Sequence, residues 1–187
     1  MLQLKKIHKQ YKTGDLVQTA LDKVSLNLRD CEFVAILGPS GSGKTTLLNI
    51  LAALDRPTAG EVFLNGKALS DVRERDMAAF RRSHLGFVFQ DFNLLDTFSR
   101  RDNIFLPLVL TGRPYQEMEK KLTPLAERLG IAAILNKYPY EVSGGQKQRA
   151  AVARALITDP PAGPDGRAHR GFGFPGLGPS AGAVRRG

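Results

Sequence analysis

Phe33-Val34-Ala35-Ile36-Leu37-Gly38-Pro39-Ser40-Gly41-Ser42-Gly43-Lys44-Thr45-Thr46-Leu47-Leu48 is the stretch on which the reading of the chain turns. Five apolar residues run into a glycine-rich turn, and apolar residues then recur at Leu47, Leu48, Leu51 and Leu54. The continuous run predicts a strand buried on both faces, as in a parallel sheet. The later spacing predicts a helix over 44–54. Between them stands Gly-x-x-x-x-Gly-Lys-Thr. Its glycines let successive backbone N–H groups converge on phosphate oxygens that side chains would obstruct. The helix start adds a partial positive charge of roughly half a unit. In such a loop Lys44 would reach the outer phosphates and Thr45 would set its hydroxyl on Mg²⁺. A glycine-rich turn can match this pattern by chance, but here it sits in strand–loop–helix order, which favours nucleotide binding.

Outward from the loop the pattern is mixed α/β. Leu2, Leu4 and Ile7 suggest an opening strand, and Val24, Leu26 and Leu28 alternate as a second, half-buried one. Residues 61–64 read as a strand closed by the Asn65-Gly66 turn. A charged helix is expected over 70–83 and a buried strand over 86–89, ending at Gln90. Residues 103–110, 115–129 and 131–135 form a mostly helical stretch, with Gly130 placed as a helix C-cap. Ser143 and Gln146 have capping-box spacing ahead of a helix-forming run over 148–157.

Two further features carry chemistry. A polar residue such as Gln90 at a strand end is usually just solvated, but beside a phosphate loop it can touch Mg²⁺ and orient an attacking water. Ser143-Gly144-Gly145-Gln146-Lys147-Gln148-Arg149 is a second anion-binding helix start, with exposed backbone at the glycines and charge from Lys147 and Arg149. Taken alone it is an ordinary loop-to-helix junction.

Composition bounds the partners. With 42% hydrophobic residues in 187 the chain is globular in character, and a single domain is the natural prior. The net charge of +9 leaves +6 for residues 1–160, a modest basic excess that suits nucleotides or a membrane surface and does not require nucleic acid. The lone Cys31 excludes an internal disulfide and fits a reducing compartment. Residues 2–12 alternate apolar and basic types, unlike a signal peptide. The longest apolar run, 104–110, falls far short of the ~20 residues of a membrane helix. A protein soluble on its own is expected.

Across residues 1–160 the chain resembles the ATP-binding subunit of an ABC transporter. The phosphate loop, Gln90 at the Q-loop position and Ser143–Gln146 at the signature position occur in that family's order. The stretch 86–97 and Tyr138-Pro139 ahead of Glu141-Val142-Ser143 look closest to the bacitracin-export, antimicrobial-peptide-resistance branch, with the macrolide-export and lipoprotein-release ATPases as near neighbours.

The resemblance implies a P-loop α/β fold of ABC type with an antiparallel β subdomain and a helical subdomain over about 98–158. It implies ATP and Mg²⁺ as cofactors. Gly38, Pro39, Ser40, Gly41, Ser42, Gly43, Lys44, Thr45 and Thr46 would bind the nucleotide, with Tyr11 stacked on adenine. Ser143, Gly144, Gly145 and Gln146 would complete the site of a second subunit. Lys44 and Gln90 take the catalytic roles, Thr45 and Gln90 the metal contacts. A head-to-tail homodimer, a membrane-spanning permease partner contacted by residues 92–98, no nucleic acid, and a cytoplasmic place on the inner membrane face are implied as well.

The family pattern breaks at the end. After its signature helix the family runs into a Walker B strand, an Asp-Glu-Pro-Thr-Gly sequence and later a switch histidine. Residues 161–187 are Gly, Pro, Ala and Arg with hardly an aliphatic run, and neither Asp165 nor His169 stands in a strand-end setting. Codons for 161–174 read one base out of frame permit L-V-L-T-D-E-P-T-G-A-L-D-S, which is where the family has that sequence. Residues 161–187 therefore read as an out-of-frame, disordered tail, the alternative being a genuine Gly/Pro-rich one. The core sheet would then lack its C-terminal part, strands at Phe33 and Phe87 would lose their neighbours, and hydrolysis would be close to absent. Two other readings stay open. One is a non-catalytic remnant. The other is a soluble ATPase of the same type acting on nucleic acid or ribosomes, although the long coiled coils or duplicated cassettes of such proteins do not occur here.

Overall fold

A computed structural model describes residues 1–29, 32, 34–158 and 172–173. The expectations for Cys31, Phe33, Asp165 and His169 lie outside the described residues, as does that of a disordered tail over 161–187 except at 172–173. Strand β1 (Leu2–Thr13) pairs antiparallel with β2 (Leu16–Leu28) from Leu2↔Leu28 to Thr13↔Leu16, closed by a two-residue loop with Gly14 at φ 61°. The other edge of β1 takes β3 (Ala59–Leu64), which turns into β4 (Lys67–Ala68) through Asn65 and Gly66, both at positive φ. Positive φ at both central residues is the hairpin turn the Asn-Gly pair predicts. The sheet order is β2-β1-β3-β4, all antiparallel.

Sheet and helix share a core because both present apolar stripes. Leu2, Leu4, Ile7, Leu21, Leu28 and Val62 from the strands close on Leu47, Leu48, Ile50 and Leu51 of α1 (Lys44–Leu51). Each such side chain contributes about 1.5–3 kcal/mol by leaving water. A smaller cluster of Ala53, Val72, Met77 and Leu85 packs α2 (Glu74–His84) beside it. The helix expected over 70–83 is thus split, since residues Leu69–Asp71 form a short 3-10 turn first.

Helices α3 (Arg100–Val109), α4 (Tyr115–Arg128) and α5 (Gly144–Leu156) build a separate core. Ile104, Phe105 and Leu108 meet Met118, Leu122 and Ala126 and, from the last helix, Ala150 and Ala153, with Ile157 beyond it. Gly130 ends α4 at φ 64°: its N–H donates to Glu127 O, and that of Ile131 to Ala126 O, the paired bonds of a glycine-terminated helix. No helix among the described residues is long and apolar enough to cross a membrane.

The buried parallel strand expected over 33–37 is not formed by its described residues, 34–37. Residues 34–39 carry no regular structure, and Leu37 is 86% exposed. A strand buried on both faces needs a neighbour on each edge for its backbone groups, and among the described residues none pairs with 34–37. The strand expected over 86–89 shrinks to β5 (Phe87–Val88), paired in parallel with β6 (Phe172–Gly173) through Phe87↔Phe172 and Val88↔Gly173. Contrary to expectation, the Phe87 strand thus has a neighbour, and 172–173 of the tail are ordered as a strand, because backbone groups at a strand edge take a partner.

Candidate functional site

The phosphate loop folds around its own lysine. Lys44 Nζ donates to the carbonyls of Gly38, at 2.8 Å, and Pro39, and to Ser42 Oγ at 3.3 Å. Gly43 opens α1 at φ 83° with no side-chain cap, and the first turn of the helix holds no acidic residue. The first N–H groups of a helix have no partner within it, so here they face outward from an uncapped start beside a cation. Gly38, Pro39, Ser40, Gly41, Ser42 and Thr45 are exposed, and Gly43, Lys44 and Thr46 are half-buried. A side chain at Gly43 would run into the carbonyl oxygen of Ala20 on β2, so the loop lies directly against the hairpin. These features suit a polyphosphate: donors, one cation, no competing carboxylate.

Mg²⁺ fits only in company with phosphate. No cluster of three or more His, Cys, Asp or Glu side chains that could hold a metal occurs among the described residues. Thr45 offers a hydroxyl at the helix start, and Gln90 is exposed in a turn two residues beyond β5, not at the strand end itself. Mg²⁺ characteristically takes one or two protein ligands with the rest from water and phosphate.

Tyr11 is partly committed elsewhere. Its hydroxyl donates to Asp55 Oδ2 at 3.0 Å, past the C-terminal end of α1, and the Lys9 ammonium lies 5.0 Å from its ring centre. Lys9 Nζ also reaches Asp55 Oδ1 at 2.6 Å. Burial pushes the Asp55 carboxyl up, but hydrogen bonds from Lys9, Tyr11 and the Arg56 N–H outweigh it and hold the group below its ordinary value. Tyr11 as a whole remains 41% exposed.

At the second helix start, Ser143 Oγ accepts from Gln146 N–H at 3.4 Å and Gln146 Oε1 accepts from Ser143 N–H at 3.2 Å, the reciprocal box the spacing predicts. Ser143, Gly144 and Gly145 are exposed, and a Cβ on either glycine would meet nothing within 4 Å. Among the described residues, nothing packed at this corner therefore asks for glycine there. The structure does not unite the two helix starts in one core: α1 packs with the sheet, α5 with α3 and α4.

Two buried polar side chains and one half-buried arginine escaped the sequence reading. Asn103 is fully buried and bonds the backbone of Leu95, Phe98 and Ser99. Arg100, equally buried, donates to Ile134 O at 2.8 Å. Arg154 of α5 donates to Asn93 O at 2.6 Å and Phe92 O at 2.7 Å, and burial pushes its guanidinium down. Only for the first did a local signal exist: Ser99-x-x-Asp102, the cap that starts α3 three residues before the expected 103.

Residues 21–162 match the family described as ABC transporter. The chain is 51% identical over 160 residues to the ABC transporter ATP-binding protein YxdL of Bacillus subtilis, spanning 86% of this chain and 62% of that protein. It is 45% identical over 160 residues to the bacitracin export ATP-binding protein BceA of Halalkalibacterium halodurans, spanning 86% and 63%. The chain thus covers under two thirds of the length of both relatives. Among solved structures, the dimeric post-hydrolysis state of the ATP-binding cassette MJ0796 bound to ADP and Pi superposes with a TM-score of 0.80 at 40% identity, over 87% of this chain and 72% of that one.

Proposed function

Because the chain belongs to the ABC transporter family of ATP-binding domains, we propose that it is the ATP-binding subunit of an exporter, coupling ATP binding and hydrolysis to transport through a membrane-spanning partner. The observation that carries this is the uncapped, acid-free start of α1 with Lys44 held inside the loop 38–43. In this reading Lys44 exchanges its carbonyl partners for phosphate oxygens, while the N–H groups of 41–46 close around them. Thr45 and Gln90 hold Mg²⁺, which supplies charge neutralisation when bound. Tyr11 offers its exposed face to adenine.

The exposed Ser143-Gly144-Gly145 corner is proposed to face the phosphate loop of a second copy, head to tail. Glycines that no contact among the described residues requires are what a partner's phosphates approaching the backbone would ask for. The helical core of 100–157 is proposed as the helical subdomain, with residues 92–98 turned to the permease. The kinship with BceA suggests a peptide-antibiotic exporter, on the cytoplasmic face of the membrane.

We further propose that these 187 residues bind ATP but hydrolyse it poorly, since 159–187 spell no aliphatic strand ending in Asp-Glu. ATP titration of the purified chain and of Lys44→Ala tests both parts. Removing the charged donor is expected to weaken binding by about 2–3 kcal/mol. Undiminished affinity would sink the nucleotide reading, and turnover that Lys44→Ala abolishes would sink the hydrolysis claim.

A further inference from the structure

The turn that carries Gln90 is fastened to helices, not to the sheet it leaves. Phe92 and Asn93 stand at φ 60° and 43°, uncommon for residues with side chains. Their carbonyls both accept from the Arg154 guanidinium, at 2.7 and 2.6 Å. A fork of two charge-assisted donors fixes direction as well as distance. One residue further along α5, the carbonyl of Ala155 would stand 2.5 Å from a Cβ placed at Gly86. Arg154 and Ala155 thus grip the chain on both sides of Gln90. Further on, Asn103 of α3 holds Leu95, Phe98 and Ser99, and α3 and α5 share a core. The same α5 begins at Ser143, eleven residues and about 16 Å of helix from Arg154.

We propose that Arg154 is a positioning residue that sets Gln90 for its Mg²⁺–phosphate contact by locking the Phe92–Asn93 turn to the helix whose other end presents Ser143. This rests on the role of Gln90 proposed above. A rigid α5 then makes the placement of Gln90 follow any displacement of the Ser143 corner, because both ride on one helix.

The test is the ratio of ATP affinities with Mg²⁺ and with EDTA, measured by calorimetry on the purified chain, on Gln90→Ala, on Arg154→Met and on the double variant. Loss of an outer partner of a metal ligand typically costs 10–100-fold, so the Mg²⁺ enhancement is expected to fall roughly tenfold in Arg154→Met. It is expected to fall no further in the double variant, since residues acting through one another are not additive. Affinity in EDTA should stay near that of the unsubstituted chain throughout. Full enhancement in Arg154→Met, or a loss that adds to that of Gln90→Ala, overturns the proposal. If Arg154→Met does not fold, Arg154→Gln keeps one neutral donor, and full enhancement there also overturns it. A chain that binds ATP equally with and without Mg²⁺ removes the role of Gln90 and this inference with it. A chain that binds no ATP even in EDTA removes the phosphate-loop reading as well.

Discussion

The carbonyl oxygen of Ala20 occupies the space where a side chain at Gly43 would begin. That contact seats the last glycine of the phosphate loop on the β1–β2 hairpin, and Gly43 also holds φ at 83°. Either feature alone disfavours a Cβ; together they exclude one unless backbone moves. Gly43→Ala is therefore expected to lower stability by about 2 kcal/mol or more, from left-handed strain plus displacement of a strand backbone. Urea unfolding reads the first effect and ATP titration the accompanying loss of affinity. A variant as stable as the parent would show that the loop is not seated on Ala20.

Gly144 and Gly145 make the opposite case. Both lie in the first turn of α5 and neither would meet anything on gaining a Cβ. Alanine there should leave the isolated chain as stable or raise stability by up to about 1 kcal/mol, because glycine costs that much in a helix. If a second copy's nucleotide packs on this corner, the same variants should weaken ATP-dependent dimerisation seen by light scattering. Gain of stability with intact dimerisation would remove the head-to-tail reading.

What the sequence disclosed was local chemistry. The capping box at Ser143–Gln146, the Asn65-Gly66 turn and the glycine end of α4 each depend on residues within a few positions, and each formed as read. What escaped depended on distant partners. The strand read at 33–37 needed neighbours that the described residues do not supply. The Arg154 clamp joins residues 61 and 62 positions apart, and nothing in its helical setting distinguishes it from a surface arginine. The long hairpin was half seen, because its outer part, residues 10–19, is exposed and held by backbone pairing, with no apolar alternation packed on a core. At the candidate site the glycine-rich turn ahead of α1 was legible, whereas the diversion of Tyr11 toward Asp55 was not.

Asp55 gives a pH dependence. With its carboxyl held below the ordinary value near 3.9 by Lys9, Tyr11 and the Arg56 N–H against the opposing push of burial, the folded state binds its proton less readily than the unfolded chain. The stabilisation is therefore complete above about pH 4 and is lost as pH falls through the folded value. Asp55→Asn is expected to cost about 1 kcal/mol at pH 7 and progressively less below pH 4. Urea unfolding at both extremes checks this. A cost independent of pH would place the loss in packing instead.

Asn103 offers the sharpest substitution. Its amide nitrogen shares two hydrogens among three carbonyls, Leu95 at 2.9 Å, Phe98 at 3.1 Å and Ser99 at 3.0 Å, while its oxygen accepts from Leu95 N–H at 2.7 Å. Asn103→Ala takes the side-chain partner from Leu95 N–H and Phe98 O, whereas Leu95 O and Ser99 O keep the N–H donors of Phe98 and Asn103. With about 1 kcal/mol or more for each orphaned group, a loss of about 2–3 kcal/mol is expected. Asn103→Asp keeps nearly the same shape and the acceptor for Leu95 N–H. It also sets a carboxylate oxygen against three carbonyl oxygens and buries a charge in place of a neutral amide. Aspartate should therefore be worse than alanine at neutral pH and should recover part of the difference in acid, where protonation restores a donor. Urea unfolding of both variants at pH 7 and pH 4.5 decides it. Equal stability of Asn103→Asp and the parent would mean that the amide nitrogen does not face those carbonyls, and the segment 95–99 would need another anchor.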